Sequence, residues 1–453
     1  MAGGMAIAMS PAIAQHWEPA GVPGSMISPY ICYSDTVNDA LYVGGNSYIL
    51  VNGIQYSPLY RYQDDHWDTL GLFGNVTKTA IVYHDTLIVG GGFSTVEDSA
   101  IEEIACYANG SWHPYGSIQG DVTRLRIINE ELYVLGIFYN ADGHFCNGLA
   151  KRVGGHWENV GVLPQFNGDG SAWFHDAISY QGRLVATGNF TSADGTINDI
   201  MEYDGDAWQP ICECLSGGVS GGGSLIVYQG DLYLGGVFYY GSGNAGQGLM
   251  KWDGEQWSMV GQPGGGLQLY DHSDAYSPSI LDFKIQDGLL LVCGGFYFAD
   301  HLPASGIASW DGNHWCSLGG SIPNGVTAMA FYHDSLYVGC GGPNADGQLV
   351  NGVARFIGSS YQENCADVGI AEAVQENGEL HVLPTAPGSI ALTGLSDGPH
   401  ELRVYDAEGR QVVSNQIHST GGRSDEVDMQ QCRSALYIIR VDGVRSVKFI
   451  PLQ

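Results

Sequence analysis

The sequence predicts an all-β fold: a seven-bladed β-propeller of four-stranded blades, followed by a small C-terminal Ig-like β-sandwich. Three observations lead there. First, one unit recurs, reading Leu-Tyr-Val-Gly-Gly-x-Phe, about a dozen loop residues, then Ile-Ala-x-Trp-Asp-Gly-x-x-Trp; its leading leucine stands at Leu41, Leu87, Leu132, Leu184, Leu232, Leu290 and Leu336. The gaps of 46, 45, 52, 48, 58 and 46 residues are the spacing of a propeller, solenoid or array. Second, the chain is rich in turn formers and aromatics, with 67 Gly, 26 Tyr and 10 Trp in 453 residues, a composition of many short strands. Third, tryptophans recur in phase with the unit at Trp67, Trp112, Trp157, Trp208, Trp257 and Trp315.

Each unit reads as four strands. In the copy around Leu336, Val326–Phe331 alternates, Tyr332–Ser335 is a tight turn, and Leu336–Gly339 is a second strand. A loop with Asn344-Ala345-Asp346-Gly347 follows, then a third strand at Gly352–Phe356. Other copies supply the fourth, as in Trp257–Val260 and Trp315–Leu318. Period-two alternation bounded by Gly, Asp and Asn marks these segments as strands. A lone four-stranded sheet cannot bury both faces, whereas blades stacked around an axis bury them. The paired glycines Gly44-Gly45, Gly90-Gly91 and Gly235-Gly236 suit a strand end where backbones approach closely or φ turns positive. The tryptophans would open the outer strands and fill the wedge between blades. An eighth such position, Trp17, precedes the first full unit, so Trp17-Glu18-Pro19 is expected to supply the outer strand of the last blade and remove an open edge.

The segments Tyr203–Trp208, Trp252–Trp257 and Trp310–Trp315 resemble the kelch/galactose-oxidase class of propeller. That class combines a hydrophobic-Gly-Gly strand with an aromatic before a turn and a following Trp. The Trp-Asp pairs sit at the turn between the third and fourth strands with no Gly-His before them, which favours this class over WD40 repeats. The resemblance covers about residues 15–361 and speaks to fold rather than function.

After Asn364 the period stops. Residues 362–375 read as a linker, and 376–453 as a separate domain with alternating runs at Leu380–Leu383, Glu401–Asp406 and Ala435–Val441. The run Leu402–Val412, with Leu436–Val441 and the terminal Val447–Ile450, is similar to the C-terminal sorting domain of type IX secretion in Bacteroidetes. Leu383-Pro384-Thr385 stands where that family opens with Pro-Asn-Pro, and Ser434-Ala435 where it has a glycine. The resemblance implies cargo of the type IX secretion machinery, released or anchored at the outer-membrane cell surface. An ordinary Ig-like adhesive module is the competing interpretation.

Compartment and charge agree with export. Residues 1–14 look like the remnant of a signal peptide cut before Gln15, after Ala12-Ile13-Ala14. The positive n-region of such a leader is missing, leaving the translation start open. Export makes disulfides possible among the 10 cysteines, but their spacing contains no zinc pattern. No run of about 20 apolar residues marks a transmembrane helix. The formal charge is −31, and a surface this acidic repels phosphate backbones, so nucleic acid is excluded as a partner.

Function is expected where the copies differ. The 1–2 and 3–4 turns are tight and lie at one end of each blade. The variable 2–3 and 4–1 connections share the other end, and loops on a rigid scaffold usually carry binding. Two insertions, 261–276 and 166–176, mix aromatics with Asp and His, a combination suited to sugar rings or peptide side chains. They nominate Trp173, His175, Tyr270, Asp271, His272, Asp274 and Tyr276 as ligand-binding residues. Asp142-Gly143, Asp194-Gly195 and Asp346-Gly347 recur in the 2–3 loop, with Asn147, Asn198 and Asn351 beyond. Turn chemistry explains them, with Ca²⁺ as the alternative, and no other cofactor or metal is expected. Neither an HExxH motif nor a P-loop is present, and no copper ligands of a galactose oxidase can be assigned. The sequence therefore points to an exported binding protein for a glycan or protein ligand rather than an enzyme. The alternatives are a secreted carbohydrate-active enzyme with paired carboxylates from different blades, and a structural surface-layer component.

Overall fold

The computed structural model describes residues 15–168, 170–212, 220–238, 244–262, 265–269 and 277–365 of the repeat region. It also describes 381–386, 389–406, 411–421, 423–429, 437–441 and 445–449 of the C-terminal region. The chain divides into two compact units between residues 367 and 368. Among the described residues there is no helix.

The first unit is an all-β propeller. Its antiparallel sheets share one plan, four strands from an inner first to an outer fourth, in sequence order in six of them and with the outer strand drawn from the N-terminal end in the seventh. Seven such sheets are present among the described residues, with first strands Ser28–Asp35, Thr77–Tyr83, Ile118–Ile128, Trp173–Tyr180, Ser220–Tyr228, Ser279–Gln286 and Val326–Tyr332. Each first strand packs against the next, and the seventh packs against the first, which closes the ring.

Strand alternation explains why the ring holds. Successive side chains point to opposite faces, and here both faces are buried. Leu87 and Val89 join the apolar cluster shared with the first sheet, with Ile31, Leu59 and Phe73. Between them Ile88 points the other way, into the cluster shared with the third sheet, with Val122, Leu125 and Val134. The same division fills every junction of the ring, each cluster drawing on two neighbouring sheets. Full burial of one Val, Leu or Phe side chain contributes about 1.5–3 kcal/mol, so the junctions carry most of the stability.

All but one of the outer tryptophans add a directional bond to this packing; the Trp257 Nε1 is buried without a hydrogen-bond partner among the described residues. The Trp67 indole donates to Ala20 O at 2.9 Å, Trp112 to Leu70 O at 3.1 Å, and Trp157 to Tyr115 O at 3.1 Å. Trp208 donates to Val160 O at 2.8 Å and Trp315 to Val260 O at 3.2 Å. Each acceptor lies three residues beyond the outer tryptophan of the preceding sheet. Every one of these bonds thus ties an outer strand to the chain leaving the sheet before it.

Closure uses the same device. Trp17–Pro19 pairs antiparallel with Val353–Phe356, in register Trp17 to Phe356, as the sequence predicts. The Trp17 indole donates to Gly319 O at 3.3 Å, and its ring, 1% exposed, packs edge-on against Phe356. Glu18 is ion-paired with Arg355. Beyond the last full strand, Asn364–Cys365 pairs with Cys316–Ser317, and a disulfide joins Cys316 to Cys365. This staple holds the end of the first unit onto the sixth sheet.

The second unit is antiparallel throughout. His381–Ala386, Ser389–Thr393, Gly398–Asp406, Gln411–Thr420, Tyr437–Val441 and Arg445–Phe449 are joined, with short pairings at Arg423–Ser424 and Val427–Asp428, into one hydrogen-bonded ladder. Its core includes Leu392, Leu402, Val404, Ile417, Ile439 and Val441.

Trp17→Ala should cost about 3–5 kcal/mol, the range for truncating a buried aromatic. Trp173→Ala, at a ring 44% exposed, should stay within about 0.5 kcal/mol. Urea unfolding of the two variants measures the difference; equal midpoints would show that closure by Trp17 does not hold the ring.

Candidate functional site

The first strands of all seven sheets are interrupted at the same height by a register shift, between Pro29 and Ile31, Thr77 and Thr79, Val122 and Arg124, Phe174 and Asp176, Ser220 and Ser224, Ile280 and Asp282, and Val326 and Ala328. A bulge leaves one residue unpaired and re-aims it. The residues inside these shifts include Tyr30, Lys78, Thr123, His175, Gly223, Leu281 and Thr327, and all of them line one cavity at the centre of the ring, of about 630 Å³. That volume lies within the ~300–1,000 Å³ of ordinary ligand sites.

Glycine permits the bulges. A Cβ on Gly136 would collide with Asp121 O, one on Gly188 with Trp173 O, and one on Gly294 with Ser279 O. In each case the obstructing carbonyl belongs to the bulged strand opposite, at a point where only glycine fits. Gly45 and Gly91 stand in the same relation to the carbonyls of Ser28 and Val76. The second glycine of the recurring pair is thus the mark of a bulge in its partner strand. In the seventh sheet Cys340 takes this position, opposite Val326.

The cavity gathers charge. Arg126 makes two bonds of 2.6 Å to Asp176. Asp176 is fully buried and also accepts from Leu225 N at 2.9 Å and Ser224 Oγ at 3.3 Å, so it ties the third, fourth and fifth sheets together. Burial alone would raise its pKa, but the Arg126 and Arg124 guanidiniums hold it below the usual carboxylate range. Lys284 lies 3.0 Å from Asp282, and Lys78 lies 2.7 Å from Asp121. Arg124 reaches from the third sheet to the sixth, 3.4 Å from Leu281 O and 4.0 Å from Asp282. His175 is held neutral, its pKa pushed down to about 4 by burial and the Arg124 charge. Its Nε2 is buried and has no hydrogen-bond partner among the described residues.

The residues nominated from sequence fall into three groups. Tyr270, Asp271, His272, Asp274 and Tyr276 lie outside the described residues. Trp173 opens the fourth sheet's first strand and is exposed at the loop end. His175 belongs to the same strand and not to a surface loop: the bulge breaks the alternation and turns it into the cavity. The Asp-Gly carboxylates are taken up by backbone. Asp142 accepts from Ser117 N at 2.8 Å and Trp157 N at 2.7 Å; Asp346 accepts from Ser321 N at 2.6 Å and Trp17 N at 2.9 Å. Each clamps its loop to its own sheet's outer tryptophan. Asp194 serves its own turn, through Ser192 and Thr196. The sequence also contains Gly-x-Ser-x-Gly at 218–222 and 394–398. Ser220 opens a strand and Ser396 lies in a strand connection, without the strand-to-helix turn of a nucleophile elbow.

Sequence reasoning passed over Lys78, Arg124, Arg126, Asp176, Asp282 and Lys284, which read as ordinary strand residues. It also passed over Glu103, at the start of the second sheet's third strand. Its Oε2 is buried and lacks a partner among the described residues, and burial with the Asp121 and Glu102 charges pushes its pKa up to about 7.

No known family model matches the chain, and no curated protein is detectably similar. Solved structures with related architecture include the β-propeller domain of the trilobed protease from Pyrococcus furiosus, at 10% identity and TM-score 0.32, covering 69% of this chain and 98% of that one. The AfRom2 CNH domain aligns at 13% identity and TM-score 0.33, over 77% and 94% of the two chains. Sucrose-6-phosphate hydrolase from Lactobacillus gasseri aligns at 11% identity and TM-score 0.24, over 96% and 88%. Likeness at this level carries no functional argument.

The Glu103 carboxyl gives a pH signature. A carboxyl with its folded pKa above the unfolded value contributes stability below the unfolded value and loses it as pH rises through the folded one. For Glu103 that window runs from 4.5 to about 7. Glu103→Gln should therefore gain stability relative to the unmodified protein between pH 5 and pH 8, read as a widening gap in melting temperature. Parallel curves would show that Glu103 ionises at no cost.

Proposed function

We propose that this chain is an exported, cell-surface or secreted propeller that binds a glycan or protein ligand at the loop end of its central cavity. On this reading the seven sheets are seven kelch-like blades, residues 1–14 are the remnant of a leader, and residues 376–453 direct delivery by type IX secretion. One observation carries the binding role. Among the described residues the exposed aromatic side chains are Tyr30, Tyr48, Tyr139, Phe145, Trp173 and Tyr297. Every one sits at the start of a first strand, near the end of a second strand or in a 2–3 connection, the end at which the loops vary. Tyr30 and Tyr48 also line the cavity. Exposed rings with polar groups beside them are the composition of sugar and peptide sites. The Cys316–Cys365 disulfide and a disulfide-bonded Cys212 support an oxidising compartment.

A second reading, a secreted carbohydrate-active enzyme, rests on Glu103. A carboxyl titrating near neutrality beside an ion-paired one, Asp121, is the arrangement of a general acid with an ionised partner.

Glycan and protein arrays with the mature protein test both. The binding reading expects retention of a ligand without turnover, weakened at least tenfold in Tyr30→Ala and Tyr48→Ala. Multiple turnovers abolished by Glu103→Gln would replace it with the enzymatic reading. Delivery is tested separately: deleting residues 376–453 should trap the protein in the periplasm, and unaltered surface delivery refutes the sorting role.

A further inference from the structure

The chain has only 17 Lys and Arg residues against 48 Asp and Glu, yet four of the cations, Lys78, Arg124, Arg126 and Lys284, line the one cavity at its centre. Three carboxylates answer them. Asp121 holds Lys78 at 2.7 Å, Asp176 holds Arg126 through two bonds of 2.6 Å, and Asp282 holds Lys284 at 3.0 Å. Arg124 is left over. Its closest acceptors are Leu281 O at 3.4 Å and the already engaged Asp282 at 4.0 Å. Both contacts are long for charge-assisted bonds, which run at about 2.7–2.9 Å.

Beside Arg124 lies His175, in the bulge of the next sheet, with Nε2 buried and without a hydrogen-bond partner among the described residues. Buried polar atoms in folded proteins are nearly all paired, so one left open in a cavity wall points to a group that pairs it. Both residues line the same cavity, and each carries an unmet demand: a guanidinium fork wanting a planar anion, and a neutral imidazole whose buried nitrogen wants a hydroxyl. Tyr30 and Tyr48, exposed and lining the same cavity, offer ring faces. A sugar acid supplies all three features, namely a carboxylate for the fork, a ring hydroxyl for Nε2 and a ring face for a tyrosine. Arginine suits this role because its donors match a carboxylate bidentately.

We propose that Arg124 and His175 form an anion-recognising subsite in the central cavity, which takes a carboxylate-bearing sugar ring of an acidic glycan. The inference rests on the binding reading above and names its ligand class. The acidic exterior repels polyanions at long range, so recognition is confined to a ring or chain end that enters the cavity.

The test is calorimetric titration of the full chain with a uronic-acid trisaccharide, its methyl ester and the corresponding neutral trisaccharide. The methyl ester keeps the ring and loses the charge. The expected result is binding of the uronate at least tenfold tighter than the ester, with the preference shrinking as salt screens the pair. Arg124→Gln should abolish the preference by lowering uronate affinity to that of the ester, and its near-ultraviolet circular dichroism reports whether the sheets remain packed. His175→Phe should weaken uronate and ester alike. Equal affinity for uronate and ester in the unmodified protein overturns the subsite whatever the variants do, and leaves the binding reading standing. Binding of the neutral sugar alone does the same. If no glycan in any form binds, the subsite and the glycan reading fall together.

Discussion

The structure depends on the bond from six of its seven outer tryptophans to the chain leaving the preceding sheet. Apolar packing between sheets is large but non-directional, and it does not by itself fix where one sheet sits along the next. The indole N–H supplies that direction. A buried indole usually finds an acceptor, and the spacing of three residues past the previous tryptophan recurs at Trp67, Trp112, Trp157, Trp208 and Trp315; Trp257 is the exception, its Nε1 buried without a hydrogen-bond partner among the described residues. Trp17 meets the same demand through Gly319, so the first residues of the described chain finish the last sheet. The Asp142 and Asp346 clamps act on the same strands from the loop side. The outer strands of the third and seventh sheets are thereby held by their own sheet, by the sheet before it and by their own loop.

A ring held at its rim can tolerate irregularity at its centre. The bulged first strands are the price of the cavity: each breaks its ladder once and leaves polar backbone to be satisfied elsewhere. Thr123 Oγ1 donates to Phe174 O at 3.0 Å, across to the next sheet, and Thr327 donates likewise to Pro29 O. Asp176 performs the same service with a charge, accepting from the fifth sheet while it orders Arg126. Side chains re-aimed by the bulges thus line the cavity and also bind the inner strands to one another, which couples any ligand seated there to the packing of the ring.

Much of this was legible in the sequence, and for identifiable reasons. The seven leucines and the tryptophans report strand phase directly, because burial on both faces forces alternation, and Trp17 stood out as a tryptophan without a unit of its own. The Gly-Gly pairs were recognisable as points of close approach. What could not be read was which backbone approached them: a glycine opposite a bulge and a glycine at a turn look alike in one dimension. His175 was found for a partly wrong reason, as a loop residue, because a bulge disguises the start of a strand as the end of an insertion. Arg124 and Arg126 escaped notice because two arginines in an alternating strand ordinarily face solvent. Here that strand is the innermost of its sheet, and its partners, Asp176 and Asp282, lie 50 or more residues away in sequence.

The central claim is that the ligand is held by the bulged inner strands and not by the long insertions. Difference density from a crystal of the full chain soaked with an acidic oligosaccharide tests it most directly. The account predicts a sugar ring in the central cavity, with a carboxylate on Arg124 and a hydroxyl within hydrogen-bonding distance of His175 Nε2. Well-defined density seated only on the 261–276 insertion, with the cavity holding solvent, would contradict it.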